Sequence, residues 1–191
     1  MSESVVHVSR ARSRAFDFGL QAAVVVGASL FIALCARIYL PIPGTPVPLT
    51  LQNFAVLLVG LALGSRRGFL ALALYLAEGA AGLPVFSPAG AIGMAHFIGP
   101  TGGYLLSYPF VAALTGYIFE RGRPTFARAA WAAVAGEILL FACGLSQLYL
   151  LTHSLKTAVF YGLYWFIFAE IMKVMLAAGA IRSWRGLFSH P

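Results

Sequence analysis

The fold turns on "AVLLVGLALGSRRGFLALALYL", Ala55 to Leu76. Two apolar runs flank the pair Arg66-Arg67. Read as a single helix, the stretch would carry two charges through its middle, where each is expensive in lipid. Read as two short spans, it leaves the arginines in the loop between them. The rest of the chain decides between these readings.

Composition sets the class. The 191 residues are 60% hydrophobic and 10% charged, against roughly 45–50% and about 25% in soluble domains. Such a chain cannot cover itself with a polar surface, so its solvent is lipid. A helix needs about 20 apolar residues to cross the hydrocarbon, and six runs qualify: Phe18–Leu40, Pro48–Gly64, Gly68–Leu83, Gly99–Phe119, Ala127–Leu151 and Ala158–Ile181. The second and third are short and hold Gln52, Asn53 and Glu78. The expected fold is an all-α polytopic membrane protein of six helices. Its segments are an N-terminal piece at 1–17, the membrane domain at 18–181 and a tail at 182–191.

Charge placement fixes the orientation. Arg10, Arg12 and Arg14 precede the first span, and Arg66-Arg67 separate the second from the third. Arg121, Arg123 and Arg128 separate the fourth from the fifth, and Arg182 and Arg185 follow the last. Of the basic residues, only Arg37, Lys156 and Lys173 fall elsewhere. Basic residues gather on the cytoplasmic side, so both termini are placed there, and five or seven spans break the alternation. The net charge of +7 is therefore a topology signal and not a nucleic-acid surface. The basic lead of "FDFGLQAAVVVGASLFIALCARIYL" suggests a cleaved signal, but the apolar run exceeds the usual 7–15 or so residues, and it is read as a retained helix. Cys35 and Cys143 lie inside apolar runs and read as small buried hydrophobes. The four histidines show no metal-ligand spacing, so no metal or cofactor is expected.

Two outer loops stand out. "PIPGTPVP", Pro41 to Pro48, has four prolines and is stiff and extended. "GLPVFSPAGAIGMAHFIGP", Gly82 to Pro100, is apolar and glycine-rich. An exposed loop is normally polar, so this one is expected to fold onto the helices and line a cavity. The following "GPTGGY" resembles a phosphate-cradling turn. A Walker-type loop needs a lysine after its glycines, and no Lys or Arg lies between Arg67 and Arg121. Gly102 and Gly103 are read instead as sites of close backbone packing at the mouth of a pocket.

Glu170 and Lys173 are the most telling polar pair. Both fall in the last span, and three residues apart they share a helix face. They form either a plain salt bridge or an acceptor and a donor for a small polar ligand. Glu137 is alone in the fifth span and has three open roles: partner for Lys173, proton site or packing contact. Glu78 is assigned to the membrane interface. Tyr104, Tyr108, Tyr161, Tyr164 and Trp165 form an aromatic belt or a pocket wall. Ala23 and Gly27, extended by Ala28 and Ala33, offer a smooth surface for internal packing or for a partner subunit. Nucleotide motifs, a Ser-His-Asp arrangement and an internal repeat are all missing. The chain reads as a binding subunit whose energy comes from elsewhere.

"PIPGTPVPLTLQNFAVLLVGLALGSRRG", "GLPVF", "GPTGGYLLSYP" and "EIMKVMLAA" together resemble the biotin-specific substrate-binding subunits (BioY, S components) of energy-coupling factor (ECF) transporters. The resemblance runs from about Pro41 to Ala178. It implies six helices around a biotin pocket near the outer face of the plasma membrane, capped by the first and third outer loops. It also implies a membrane coupling subunit and cytoplasmic ATPases as partners, alongside membrane lipid. The implied substrate-binding residues are Glu170, Lys173, Gln52, Gly102, Gly103 and Tyr104. Glu170 stands where the family pattern has Asp, and Leu105 where an arginine follows "GGY". No catalytic residue is implied. Biotin's cyclic urea offers two N–H donors and a carbonyl; Glu170 can accept from the first, and Lys173 can donate to the carbonyl or to the tail carboxylate. Three readings stay open beside it: an S component for another small vitamin, an intramembrane enzyme using Glu137 or Glu170, and a structural membrane-assembly protein.

Overall fold

The computed structural model describes the backbone of residues 2–188 and the side chains of residues 17–183. The side chains of Arg10, Arg12, Arg14 and Arg185, part of the charge argument, lie outside the described residues. The elements in chain order are α1 (Ser2–Ala36), β1 (Tyr39–Leu40), β2 (Leu49–Thr50), α2 (Gln52–Ala80) and α3 (Ala95–Ile98). They continue with α4 (Gly102–Glu120), α5 (Phe126–Thr152), α6 (Leu155–Val159), a π-helical turn (Phe160–Tyr164) and α7 (Ile167–Phe188). Helix α1 is continuous across residue 17, where the sequence places the edge of the membrane domain.

Among the described residues three stretches are long and apolar enough to cross a bilayer: Asp17–Ala36, Gln52–Ala80 and Phe126–Thr152. A fourth is the pair Leu155–Tyr164 and Ile167–Ser183, bent by 44°. The Gln52–Ala80 stretch is not straight. Gly64 breaks it with φ 80° and ψ 179°, a conformation that favours glycine. Gln52 Nε2 lies 2.8 Å from the hydroxyl of Tyr75, 23 residues on; a straight helix would hold them about 35 Å apart. The chain therefore folds back at Gly64, beside the exposed arginines 66 and 67. Ser65 N–H donates to Glu120 at 3.2 Å, which satisfies an amide at the start of the second limb.

The two limbs of α2 pack against α4. At Gly60 an added Cβ would stand 2.6 Å from Ala112 O, so the backbones meet directly. Large apolar side chains cover the outside. On α7, Phe168, Ile171, Met172, Met175 and Leu176 are exposed, while Glu170, Lys173, Val174, Ala177 and Ala178 are buried. This is a lipid-facing apolar stripe opposite a buried face that carries the helix's charged pair, the reverse of a soluble helix. Ala23 and Gly27 of α1 are also exposed, and a Cβ at Gly27 would meet nothing within 4 Å; this face is not used for internal packing. Ala28 and Ala33 do pack against the core. Cys35 and Cys143 are both free thiols, the first buried and the second half-buried.

The sequence boundaries need three corrections. The helix expected from Pro48 begins only at Gln52, because Tyr39 and Leu40 pair antiparallel with Thr50 and Leu49 and close the proline loop at its base. The helix expected from Gly99 begins at Gly102, since Ala95–Ile98 forms a separate turn of helix. The last span is broken at the π-helical turn. The long third loop folds onto the helices as its composition predicts. Phe86 is its plug: only 6% exposed, it sits against the rings of Tyr75, His96 and Phe97.

Candidate functional site

Beneath these loops lies a cavity of ≈ 390 Å³, within the roughly 300–1,000 Å³ typical of small-molecule sites. One side is built from helices. It starts with the first residues of α2, where the turn out of β2 aims Gln52 and Asn53 inward, and continues with α7. Lys173 Nζ lies 2.8 Å from Glu170 Oε1 and 2.7 Å from Asn53 Oδ1. Asn53 Nδ2 in turn donates to Glu170 Oε2. The three side chains form a closed ring, all buried, in which both Glu170 oxygens accept and the two charges cancel. Gln52 Nε2 donates to the hydroxyl of Tyr75, and that hydroxyl donates to Val85 O at 3.0 Å.

The aromatic wall comes from α4 and its neighbours. Tyr104, Tyr108, Phe141 and Phe166 line the cavity. Tyr104 donates its hydroxyl to Gly162 O at 2.9 Å, in the π-helical turn. Thr45 of the proline loop donates to the next carbonyl back, Tyr161 O, at 2.7 Å. The aromatic cluster read from sequence therefore divides. Tyr104 and Tyr108 are buried in the pocket wall, whereas Tyr164 and Trp165 are 62% and 43% exposed; outside, Tyr164 stacks on Phe160 and Trp165 meets that ring edge-on.

The third loop supplies the other side, through Ser87, Gly90, Ala91, His96 and Thr101. His96 Nδ1 sits 2.6 Å from Ala91 O; a carbonyl can only accept, so Nδ1 carries the proton. Gln147 of α5 donates to Phe97 O and Gly99 O, both at 2.8 Å, and pins the loop where it enters α4.

Of the residues singled out from sequence, Glu170, Lys173, Gln52 and Tyr104 come together on the cavity wall. Gly102 and Gly103 do not. They lie behind the wall, where a Cβ would stand 1.9 Å from Phe97 O and 2.5 Å from Cys143 O respectively. Their place is close packing of α4 against the loop and α5. Asn53 was visible only as one of the polar residues in a short span, and it is the link that closes the ring. His96 gave no signal beyond its position in the loop. Glu137 is buried, with neither carboxylate oxygen hydrogen-bonded to a donor. Glu170 and Lys173 are its electrostatic neighbours, but the ion pair of Lys173 is with Glu170. Glu78, half-buried, accepts a hydrogen bond from Ser29 of α1 at 2.5 Å.

Comparison with known proteins agrees with this geometry. A model of the BioY family matches residues 9–190. The "Biotin transporter BioY" of Thermotoga maritima is 36% identical over 155 residues, covering 81% of this chain and 90% of that one. Its counterpart from Rhizobium etli is 36% identical over 141 residues, 70% of this chain and 75% of the relative. A crystal structure of "the S-component for biotin from an ECF-type ABC transporter" is similar with a TM-score of 0.81 and 25% identity, covering 89% of this chain and 93% of that one.

Proposed function

The chain belongs to the BioY family, and from that premise we propose how it binds biotin and serves as the substrate-binding subunit of an ECF-type transporter in the plasma membrane. One observation carries the reading: a closed Asn53–Glu170–Lys173 ring on the wall of a cavity large enough for a small vitamin. A cyclic urea presents donors and an acceptor side by side. The ring offers the matching set, carboxylate lone pairs and the third N–H of the Lys173 ammonium, in a site shielded from water. Tyr104, Tyr108, Phe141 and Phe166 enclose the apolar part of the ligand. No group in the cavity needs to make or break a bond to the ligand, so the chemistry is recognition and release, not catalysis.

The topology belongs to the same proposal. The two limbs of α2 count as two passes meeting at Gly64, and with α1, α4, α5 and the bent α6–α7 pair they make six. Both termini and the loops bearing Arg66, Arg67, Arg121 and Arg123 then face the cytoplasm, and the proline loop and third loop face outward as caps. The segments 1–17 and 182–191 lie on the cytoplasmic side. A membrane coupling subunit and cytoplasmic ATPases supply the energy for release inward, and the exposed Ala23–Gly27 face of α1 is free for such contact.

Calorimetry on the detergent-purified protein tests the ligand. Biotin should bind while riboflavin and thiamine do not; binding of another vitamin in place of biotin would redirect the assignment. Labelling of single cysteines tests the topology. Positions beside Arg66 and Arg123 should react only from the cytoplasm, and one beside Pro88 from outside. Outside labelling at Arg66 would sink the six-pass arrangement.

A further inference from the structure

Glu137 of α5 is a buried acid that the ring does not use. It stands near the middle of Phe126–Thr152, is 7% exposed, and neither of its carboxylate oxygens has a donor. It is not on the cavity wall. Leu140 and Phe141, on the next turn of α5, line the cavity, and Gln147 beyond them holds the third loop. Glu137 therefore lies about one turn deeper than the cavity, away from the loops. Two elements bring ionisable groups to it. Helix α7 brings Lys173 and Glu170, the latter with its carboxylate in hydrogen-bonding reach, and α4 brings Tyr108. The unpaired hydroxyl of Thr115 lies against Gly136, one residue around the helix, and makes no bond to Glu137.

Counting charges leaves one proton to be placed. If Glu137 were ionised, two carboxylates would share a single ammonium, and the cluster would hold one negative charge too many. Lys173 is already committed, at 2.8 Å to Glu170 and 2.7 Å to Asn53. No Lys or Arg lies between Arg128 and Lys156, and α4 contains none. An unpaired charge at this depth is costly, and contact with a second carboxylate adds repulsion. A neutral acid reverses the sign of that contact, because it carries an O–H donor. Glu170 has room to receive it: an ionised carboxylate offers about four acceptor sites, and Lys173 and Asn53 take one each. The resulting bond runs from O–H to a charged oxygen, one of the strong kinds.

We propose that Glu137 is held as the neutral acid and donates its proton to Glu170, as a positioning residue beneath the ligand site. It touches the ring and not the ligand. Its proton makes the buried cluster neutral, and its donor occupies a lone pair of Glu170 on the side away from the cavity. Without that donor the freed lone pair turns to the third N–H of Lys173, the one left for the ligand. The effect on ligand binding rests on the biotin reading; the proton does not.

Infrared difference spectroscopy and calorimetry on the intact protein test the two halves separately. At neutral pH the unliganded wild-type protein should show the carbonyl stretch of a protonated carboxylic acid, and Glu137→Gln should lack it. A wild-type-minus-Gln spectrum without that band overturns the proposal. Glu137→Gln keeps the size and supplies an N–H donor to Glu170, so it should bind biotin within about twofold of wild type. Glu137→Leu fills the space without a donor and should bind biotin about tenfold more weakly, the lower end of the range for a hydrogen bond to a charged group. A packing role alone predicts equal affinity in the Gln and Leu variants, and that result overturns the positioning role. Melting temperatures on the same samples confirm that both variants are folded, and Glu137→Met replaces Glu137→Leu where the latter is not. Failure of the wild-type protein to bind biotin strikes the biotin reading and leaves the infrared result standing, so the two failures are distinguishable.

Discussion

The helix wall and the loop wall of the cavity solve the problem of polar groups in a membrane protein in different ways. The helix wall completes itself: Asn53, Glu170 and Lys173 satisfy one another before any ligand arrives. The loop wall ties down its backbone, through Gln147 to Phe97 O and Gly99 O and through His96 to Ala91 O, but leaves the Ser87 hydroxyl open. A preassembled ring loses little freedom when a ligand docks. The Ser87 hydroxyl keeps its donor and acceptor capacity facing the cavity. The first wall is fastened through its cavity-facing side chains and the second through its backbone.

The contrast breaks most violently at Lys173. Lys173→Ala leaves Glu170 buried without its counter-charge, so stability should fall by about 3–5 kcal/mol, and biotin affinity by about 10- to 150-fold. Glu170→Asp keeps the charge and should stay within about fivefold of wild type. Thermal unfolding and calorimetry on the same samples read both effects. Normal affinity in a folded Lys173→Ala protein would remove the ring from the site. A smaller change is expected behind the loop wall. Gly102→Ala puts a methyl group into Phe97 O and should lower stability by about 1–3 kcal/mol through overpacking, with the ring intact and the loop wall displaced. Stability equal to wild type would mean that α4 and the loop are not locked together. The mildest test touches the proline loop. Thr45→Val removes the bond to Tyr161 O and should cost about 1 kcal/mol, seen as a several-fold faster release of biotin. An unchanged release rate would mean that this loop does not hold the ligand in.

What could be read from sequence follows the range of the interaction. The Arg66-Arg67 pair marked the reversal because charge placement in lipid is a one-dimensional signal. The composition of Gly82–Pro100 marked a folded-down loop for the same reason. Glu170 and Lys173 were legible because their partnership is local, three residues along one helix. Asn53 joins them from 117 and 120 residues away, and nothing in its neighbourhood announces that. Gly102 and Gly103 were read correctly as close-packing residues, yet close packing behind a wall and contact with a ligand look alike in a motif. The proline loop was recognised as stiff, but its closing ladder depends on a register between Tyr39–Leu40 and Leu49–Thr50 that two-residue strands do not advertise. Ser87 was invisible, since an unmet hydrogen bond exists only in three dimensions.

The π-helical turn at Phe160–Tyr164 bears on arithmetic as well as on chemistry. Its wider winding takes up one more residue than an α-helical turn over the same rise, so a surplus or missing residue is absorbed there and α7 beyond it keeps its register. Deleting one of those five residues would tighten the turn and displace the carbonyls of Tyr161 and Gly162 that receive Thr45 and Tyr104, while Glu170 and Lys173 stay where they stand. The same deletion inside α7 ahead of Glu170 meets no such slack. It would turn everything downstream by about 100°, swing Glu170 and Lys173 off the cavity wall and bring part of the lipid-facing stripe inward.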